Sequence, residues 1–192
     1  MEERSVDVLV IGAGSAGLNA LSALKSAGVD WLLVEADRYG TTCARVGCMP
    51  SKLLIAAANV AHTVHDARTF GIQVGDVAID GEAVFQRVRK ERDRFVKGVV
   101  EDTESLPEQR RLMGTARFEN ANTVIVGEQQ RITAKAIIIA VGGAPSIPPV
   151  FDPVRDRVLT SDTIFELKEL PGKLAVIGTG VIGLELGQAL HH

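Results

Sequence analysis

Val6-Asp7-Val8-Leu9-Val10-Ile11-Gly12-Ala13-Gly14-Ser15-Ala16-Gly17 is the stretch that decides the fold. Its first half is a short apolar run rich in β-branched residues, as expected of a buried parallel strand. Its second half spaces glycines as G-x-G-x-x-G, and Leu18 to Ala27 continues as an Ala/Leu helix. A second apolar run, Trp31-Leu32-Leu33-Val34, ends in Glu35, so an acid follows the glycines by about twenty residues. Strand, glycine turn, helix and strand in this order predict a βαβ unit that binds a dinucleotide. Gly12 permits the tight turn, Gly14 lets a pyrophosphate approach the backbone, and Gly17 lets the helix lie against the strand. The helix N-terminus at Ser15 and Ala16 attracts the phosphates. Glu35, with Ala36 beside it, is placed to accept hydrogen bonds from ribose hydroxyls. These residues alone leave the dinucleotide open between FAD and NAD.

The same spacing returns near the other end. Lys173-Leu174-Ala175-Val176-Ile177 reads as a strand, and Gly178-Thr179-Gly180-Val181-Ile182-Gly183 repeats the glycine turn before Leu184 to Leu190. A βαβ unit needs about 30 residues, so this second unit is expected to be cut short before its second strand and ribose acid. Two fingerprints in one chain fit electron transfer between two dinucleotides.

Between them, Leu53 to Arg68 and about Gly81 to Thr103 read as helices, the latter carrying Val84, Phe85, Val88, Phe95 and Val99 at helical spacing. Its run Arg87 to Arg94 mixes both signs of charge and reads as a solvated face laced with i,i+4 pairs. His62 and His65 read as polar surface positions. Arg110 to Thr133 changes to short strand-like pieces punctuated by Gly114, Asn120 and Gly127, the pattern of an antiparallel meander. Ala136 to Ala140 is a strongly apolar strand that runs into Val141-Gly142-Gly143-Ala144-Pro145 and Pro148-Pro149. A domain boundary is placed near residue 148. Residues 1–148 then form one domain, and 149–192 a linker and the start of a second.

Gly40-Thr41-Thr42-Cys43-Ala44-Arg45-Val46-Gly47-Cys48-Met49-Pro50-Ser51-Lys52 holds the chain's only two cysteines. A bend would let Cys43 and Cys48 close a small disulfide ring. At the start of a helix, with Arg45 and Lys52 near, thiolate is favoured over thiol. The competing readings are two unrelated reduced cysteines or half a zinc site. Zinc needs more protein ligands than one pair, and no metal site is expected.

Taken with the flanking glycine motifs, this stretch resembles the redox-disulfide signature of the FAD-dependent pyridine nucleotide–disulfide oxidoreductases. Thr41 stands for the signature's second glycine, Ala44-Arg45 for its usual Leu-Asn or Val-Asn, and Val141 for the threonine of an Ala-Thr-Gly motif. The Pro-Ser-Lys ending is closer to the dihydrolipoamide dehydrogenase and mercuric reductase branches than to the glutathione reductase branch. The resemblance implies an α/β fold. It consists of a Rossmann-like FAD domain with a parallel sheet, a helical insertion and a β-meander, then the start of a Rossmann-like NAD unit. It implies FAD at Gly12, Gly14, Ser15, Ala16, Gly17, Glu35, Ala36, Gly40, Thr41, Thr42, Cys43, Gly47, Cys48, Lys52, Gly114, Thr115, Ala116, Ala140, Val141 and Gly142. NAD is implied at Gly178, Gly180, Val181, Ile182 and Gly183. Cys43 would be the thiol that exchanges with substrate, Cys48 the thiol beside the flavin, and Lys52 the cation at the flavin, paired with Glu185. The implied partners are a lipoyl group on a carrier protein or a small disulfide, and a second subunit of a homodimer. The family's acid–base histidine has no counterpart here, so the piece is not expected to turn over alone. A non-catalytic nucleotide-binding or redox-sensing module is the reading from another class.

Composition limits the remainder. A formal net charge of −3 at pH 7 leaves no basic footprint for nucleic acid. No apolar stretch approaches the ~20 residues of a membrane span. The charged N-terminus shows no secretory signal, so a cytoplasmic location is expected.

Overall fold

The computed structural model describes residues 1–191, and His192 lies outside them. The chain divides into two compact units, each built from two segments. The first comprises Met1–Cys43 and Val96–Ala144, and the second Ala44–Phe95 and the chain from Pro145 onward.

The first unit is a six-stranded sheet of β1 (Glu2–Ile11), β2 (Trp31–Glu35), β3 (Arg111–Met113), β4 (Ala116–Asn120), β5 (Thr123–Val126) and β6 (Gln130–Ile139), in the order β3-β2-β1-β6-β5-β4. Helix α1 (Ser15–Ser26) makes the crossover from β1 to β2, which pair in parallel. Alternation along the strands sorts the apolar residues between two faces. Leu9, Ile11, Leu32 and Val34 gather with Val124, Val126 and Ile132 of the meander. Val10, Trp31 and Leu33 gather with Leu21 of α1 and with Leu106. Leu9, Val10, Leu32, Leu33 and Val34 are wholly buried. That is why the sequence reads there as continuous hydrophobic runs rather than an alternation. Each such side chain contributes about 1.5–3 kcal/mol relative to exposure.

Two strands differ from the sequence reading. Leu112-Met113 belongs to β3, which pairs in parallel with β2 rather than joining the antiparallel meander. The meander is β4-β5-β6. Moreover, Arg131-Ile132 and Ala136–Ile139 form one ten-residue strand, β6. Its first residues pair antiparallel with β5, and its whole length pairs parallel with β1. One strand thus serves both halves of a mixed sheet, a role that a pattern of short apolar pieces conceals.

The second unit is helical. It contains α3 (Cys48–Asp66), most of α4 (Gly81–Glu104) and α5 (Val181–His191), with 3-10 turns at Ala67–Phe70, Pro149–Arg157 and Ile164–Glu166. The short helix α2 (Thr42–Val46) precedes it. Leu54 and Ala58, Phe85 and Val88, and Leu186 and Ala189 are i,i+3 or i,i+4 pairs from the three long helices. They close one core with Ile164 and Phe165. Phe95 does not join that core and is 46% exposed, since the unit ends there. The mixed charge run is more than a solvated face. Arg89 donates to the Phe165 and Leu167 carbonyls at 3.4 and 2.5 Å, and Arg92 pairs with Glu166. These cations pin the 3-10 turn that supplies two core residues. Lys173–Ile177 is not a strand. A strand requires ladder partners, and among the described residues none pairs with it.

Candidate functional site

In the first unit, residues singled out from the sequence collect at the carboxyl ends of the parallel strands β1, β2, β3 and β6, where open α/β sheets bind their ligands. Gly12 follows β1, Glu35 ends β2, Gly114 follows β3 and Ala140 follows β6. Backbone bonds continue the ladder past this edge. Gly12 N–H donates to Val34 O at 2.7 Å, Gly114 N–H to Glu35 O at 2.8 Å, and Ala140 N–H to Ile11 O at 2.8 Å. The parallel pairing of β3 is what brings Gly114, and Thr115 and Ala116 after it, to this edge. The residues' own pattern gave no means of placing them there, and only the family resemblance had grouped them with the flavin site.

The glycine turn has three distinct environments. Gly12 adopts φ +108°, and a Cβ there would stand 2.2 Å from the Ala140 carbonyl oxygen. A Cβ on Gly17 would stand 1.9 Å from the Gly12 carbonyl oxygen. Around Gly14 no atom comes within 4 Å of such a Cβ. Two glycines are therefore required by the chain itself, whereas the third leaves a cradle that the chain does not fill. Gly14 is also the N-cap of α1, with no side-chain cap and no acidic residue in the first turn. Ser15 and Ala16 thus begin a helix whose first amides are not satisfied by a cap or opposed by a carboxylate. Glu35 braces the turn, its Oε2 accepting from Ala13 N–H at 2.7 Å and its Oε1 from Ala36 N–H at 2.8 Å and Asp37 N–H at 3.2 Å. A carboxylate has about four lone-pair positions, so acceptor capacity remains for hydroxyls. The open cradle, uncapped helix start and terminal acid fit the pyrophosphate and ribose of a dinucleotide.

The second turn reproduces the first locally. Gly178 adopts φ +100°, nothing lies within 4 Å of a Cβ on Gly180, and a Cβ on Gly183 would meet the Gly178 carbonyl oxygen at 2.5 Å. Leu184 N–H donates to Gly180 O at 3.0 Å, as Leu18 N–H does to Gly14 O at 2.9 Å. Even the valine two residues before each turn recurs, Val10 against Gly17 and Val176 against Gly183. Val181 and Ile182, at the start of α5, are 80% and 61% exposed.

In the cysteine segment, Gly40 is buried, Thr41 holds φ +47°, Thr42 opens α2, and Cys43 on α2 is half-buried. Gly47 precedes α3, and Cys48 is that helix's exposed first residue. Arg45 keeps Nε and Nη1 enclosed without a hydrogen-bond partner. One turn into α3, Lys52 Nζ donates to Glu185 Oε2 of α5 at 2.8 Å, joining residues 133 positions apart in sequence. The Lys52 ammonium, with the Ser51 hydroxyl next, holds the Glu185 carboxyl below the ordinary carboxylate range, against a smaller opposing effect of burial. Sequence reading named Lys52 and Glu185 but gave Ser51 no part, although it sits between Pro50 and Lys52 in the quoted motif. Val141 is 67% exposed, with Gly142 following it in an irregular segment. His62 lies on the surface of α3, 3.2 Å from Asp66. Among the described residues no three His, Cys, Asp or Glu side chains are grouped to hold a metal ion. No described helix is long and apolar enough to cross a membrane.

The family model of the pyridine nucleotide-disulphide oxidoreductases matches residues 6–192. The chain belongs to this family. Its fold is accordingly a Rossmann-like FAD-binding α/β domain, and proteins of the family use FAD and NAD(P). The chain is 37% identical over 190 residues to a dihydrolipoyl dehydrogenase of Chlamydia pneumoniae, covering 96% of this chain and 40% of that enzyme. It is 33% identical over 197 residues to a mercuric reductase of Lysinibacillus sphaericus, covering 100% of this chain and 35% of that enzyme. Among solved structures, the Cu(II) complex of the HOCl-induced flavoprotein disulfide reductase RclA from Escherichia coli superposes with a TM-score of 0.74 at 26% identity, covering 96% of this chain and 39% of that one. The chain therefore spans 35–40% of the length of these relatives.

Proposed function

We propose that the chain is the flavin- and disulfide-bearing part of a dihydrolipoamide dehydrogenase-like enzyme, which oxidises dihydrolipoamide on a carrier protein and reduces NAD. The observation that carries this reading is the Lys52–Glu185 ion pair, one helical turn beyond Cys48 in a Cys-x4-Cys…Pro-Ser-Lys frame. Residues 1–148 act as the FAD domain and 149–192 as the linker and start of the NAD domain. The first glycine turn, with Gly40, Thr41, Thr42, Gly47 and the edge residues Gly114–Ala116 and Ala140–Gly142, holds FAD. Gly178, Gly180, Val181, Ile182 and Gly183 receive NAD. When bound, FAD supplies two-electron exchange between the nicotinamide and the disulfide. In this division of labour Cys43 meets the substrate's sulfur, and Cys48 closes or opens the disulfide with it. Lys52 contributes a positive charge beside the site, and Glu185 fixes its position. The whole protein is read as a cytoplasmic homodimer whose remaining length supplies the acid–base histidine.

A mercuric reductase is the second reading, favoured by the match to such an enzyme along the whole chain. Stepwise anaerobic reduction of the whole enzyme tests the mechanism. A long-wavelength charge-transfer band after two electrons is expected, whereas direct bleaching would sink the disulfide role. Turnover with dihydrolipoamide against Hg(II) then separates the two substrates.

A further inference from the structure

A cavity of about 630 Å3 lies within the second unit, among the end of α3, the chain from Val74 to Ile79 and the last turn of α5. Its volume falls in the range of small-molecule pockets. His62 on its wall comes about four turns after Cys48 on α3, which sets the cavity about 20 Å along that helix from the cysteine segment. The irregular chain that closes one side is held at both ends. Ile72 N–H donates to the Ala67 carbonyl at 3.1 Å, and Asp80 Oδ1 accepts from Ala83 N–H at 2.9 Å.

His62 and His65 of α3, Arg68 of the following turn and His191 of α5 bring basic groups from three elements to this one space. Among the described residues the imidazoles are not gathered to hold a metal ion. They act instead as hydrogen-bonding groups and, once protonated, as cations. Arg68 is exposed, has no ion pair among the described residues and keeps its charge at any working pH. The opposing carboxylates are Asp76, also on the wall, and Asp66, 3.2 Å from His62. Histidine ordinarily gains its charge between pH 5 and 8, so acid turns a balanced cavity into a cationic one. Beside these groups, Val77 and Ile79 line the cavity while 57% and 49% exposed. Apolar surface left in water next to basic groups suits a ligand with a charged head and an apolar body.

We propose that this cavity binds a small amphipathic anion (a carboxylate, phosphate or sulfonate on an apolar body), its head on Arg68 and the imidazoles and its body on Val77 and Ile79. Affinity rises as pH falls, because protonation adds cations to the wall while the head keeps its charge. The site stands apart from both glycine turns and does not rest on the reading given to them.

Naphthalene-1-sulfonate is the probe, since its charge is constant across this range, and naphthalene-1-sulfonamide is its uncharged counterpart. Amide NMR of the whole chain, followed at Val74, Gly75 and Val77, reads binding at this cavity rather than at the glycine turns. The sulfonate is expected to shift these amides and to bind about ten-fold more tightly near pH 6 than near pH 8. The sulfonamide binds alike at both. Arg68→Met weakens the sulfonate about ten-fold, and His65→Gln flattens its pH dependence. Shifts confined to other parts of the chain, equal behaviour of the two probes, or an Arg68→Met variant that binds as the parent does would each overturn the proposal. Should a variant not fold, the comparison of the two probes on the unmodified chain decides.

Discussion

Lys52 on α3 and Glu185 on α5 meet at 2.8 Å, with side chains 64% and 28% exposed. The pair fastens the last described helix to the segment that carries the second cysteine. Because Glu185 is held below the ordinary carboxylate range, it binds protons less well folded than unfolded. Its contribution to stability is then fully present above the unfolded carboxylate value and lost as pH falls through the folded one. Lys52→Met therefore narrows the stability gap between neutral and acidic solution. With Lys52 mostly in water, the effect is about 1 kcal/mol at most and shrinks with added salt. Urea melts at neutral pH and in acid, for both proteins, check the sign. A variant equally destabilised in acid would place the loss elsewhere.

Gly14 and Gly17 separate ligand space from packing space. Gly17→Ala drives a methyl into the Gly12 carbonyl and is expected to cost about 3 kcal/mol or more, because backbone must move. Gly14→Ala meets nothing and leaves the urea midpoint nearly unchanged, while FAD titration weakens, since the methyl occupies the cradle. Gly183→Ala and Gly180→Ala repeat the contrast for NAD. Equal stability of the two alanine variants within either turn would contradict this geometry.

Thr41 holds a left-handed φ of +47° that β-branched residues rarely adopt. Glycine tolerates it, so Thr41→Gly is expected to raise stability by about 1 kcal/mol, the strain relieved less the added freedom of the unfolded chain. A lowered thermal midpoint would mean that the threonine's own interactions outweigh the strain.

How much of this was legible in the sequence follows from which interactions are local. The glycine turns could be read because each closes on itself. Gly17 and Gly12 are five residues apart, and their contact is written in their spacing. The Lys52–Glu185 pair was reachable only through family resemblance, since nothing in either neighbourhood points to the other. The partner of β3 was not legible. A three-residue strand carries no sign of whether it runs beside β2 or joins the meander, and that choice moves Gly114 to the carboxyl edge. The arginines of α4 were misjudged for a related reason. Charge pattern predicts partners within a helix, and Arg92 and Arg94 do pair with Asp93 and Glu91, but Arg89 and Arg92 also reach Phe165, Glu166 and Leu167, which no pattern within the helix shows.

Arg110 anchors the start of β2. Its Nη1 donates to the Trp31 carbonyl at 2.9 Å and pairs with Asp30, and its guanidinium lies 5.4 Å from the Trp31 ring centre. Trp31 is the chain's only tryptophan, so its emission reports on this anchor. Arg110→Ala is expected to change that emission and cost about 1–2 kcal/mol by urea titration. Unchanged fluorescence would show that the cation does not sit over the ring.

Cys48 and Cys43 differ in what reaches them. Cys48 is exposed at the first position of α3, while Cys43 is half-buried on α2. Alkylation requires the reagent to approach the sulfur along a defined line, so accessibility limits the rate for a residue held within a helix. The reduced chain is therefore expected to take its first iodoacetamide label on Cys48, followed more slowly by Cys43. Peptide mass spectrometry after brief exposure reads the order directly. Oxidation tests the same segment differently: a disulfide between the two leaves neither site open, and labelling falls at both together. Label appearing first on Cys43 would show that α2 opens more readily than its packing implies. The role proposed for Cys43, which meets the substrate's sulfur, would then require no rearrangement of the segment.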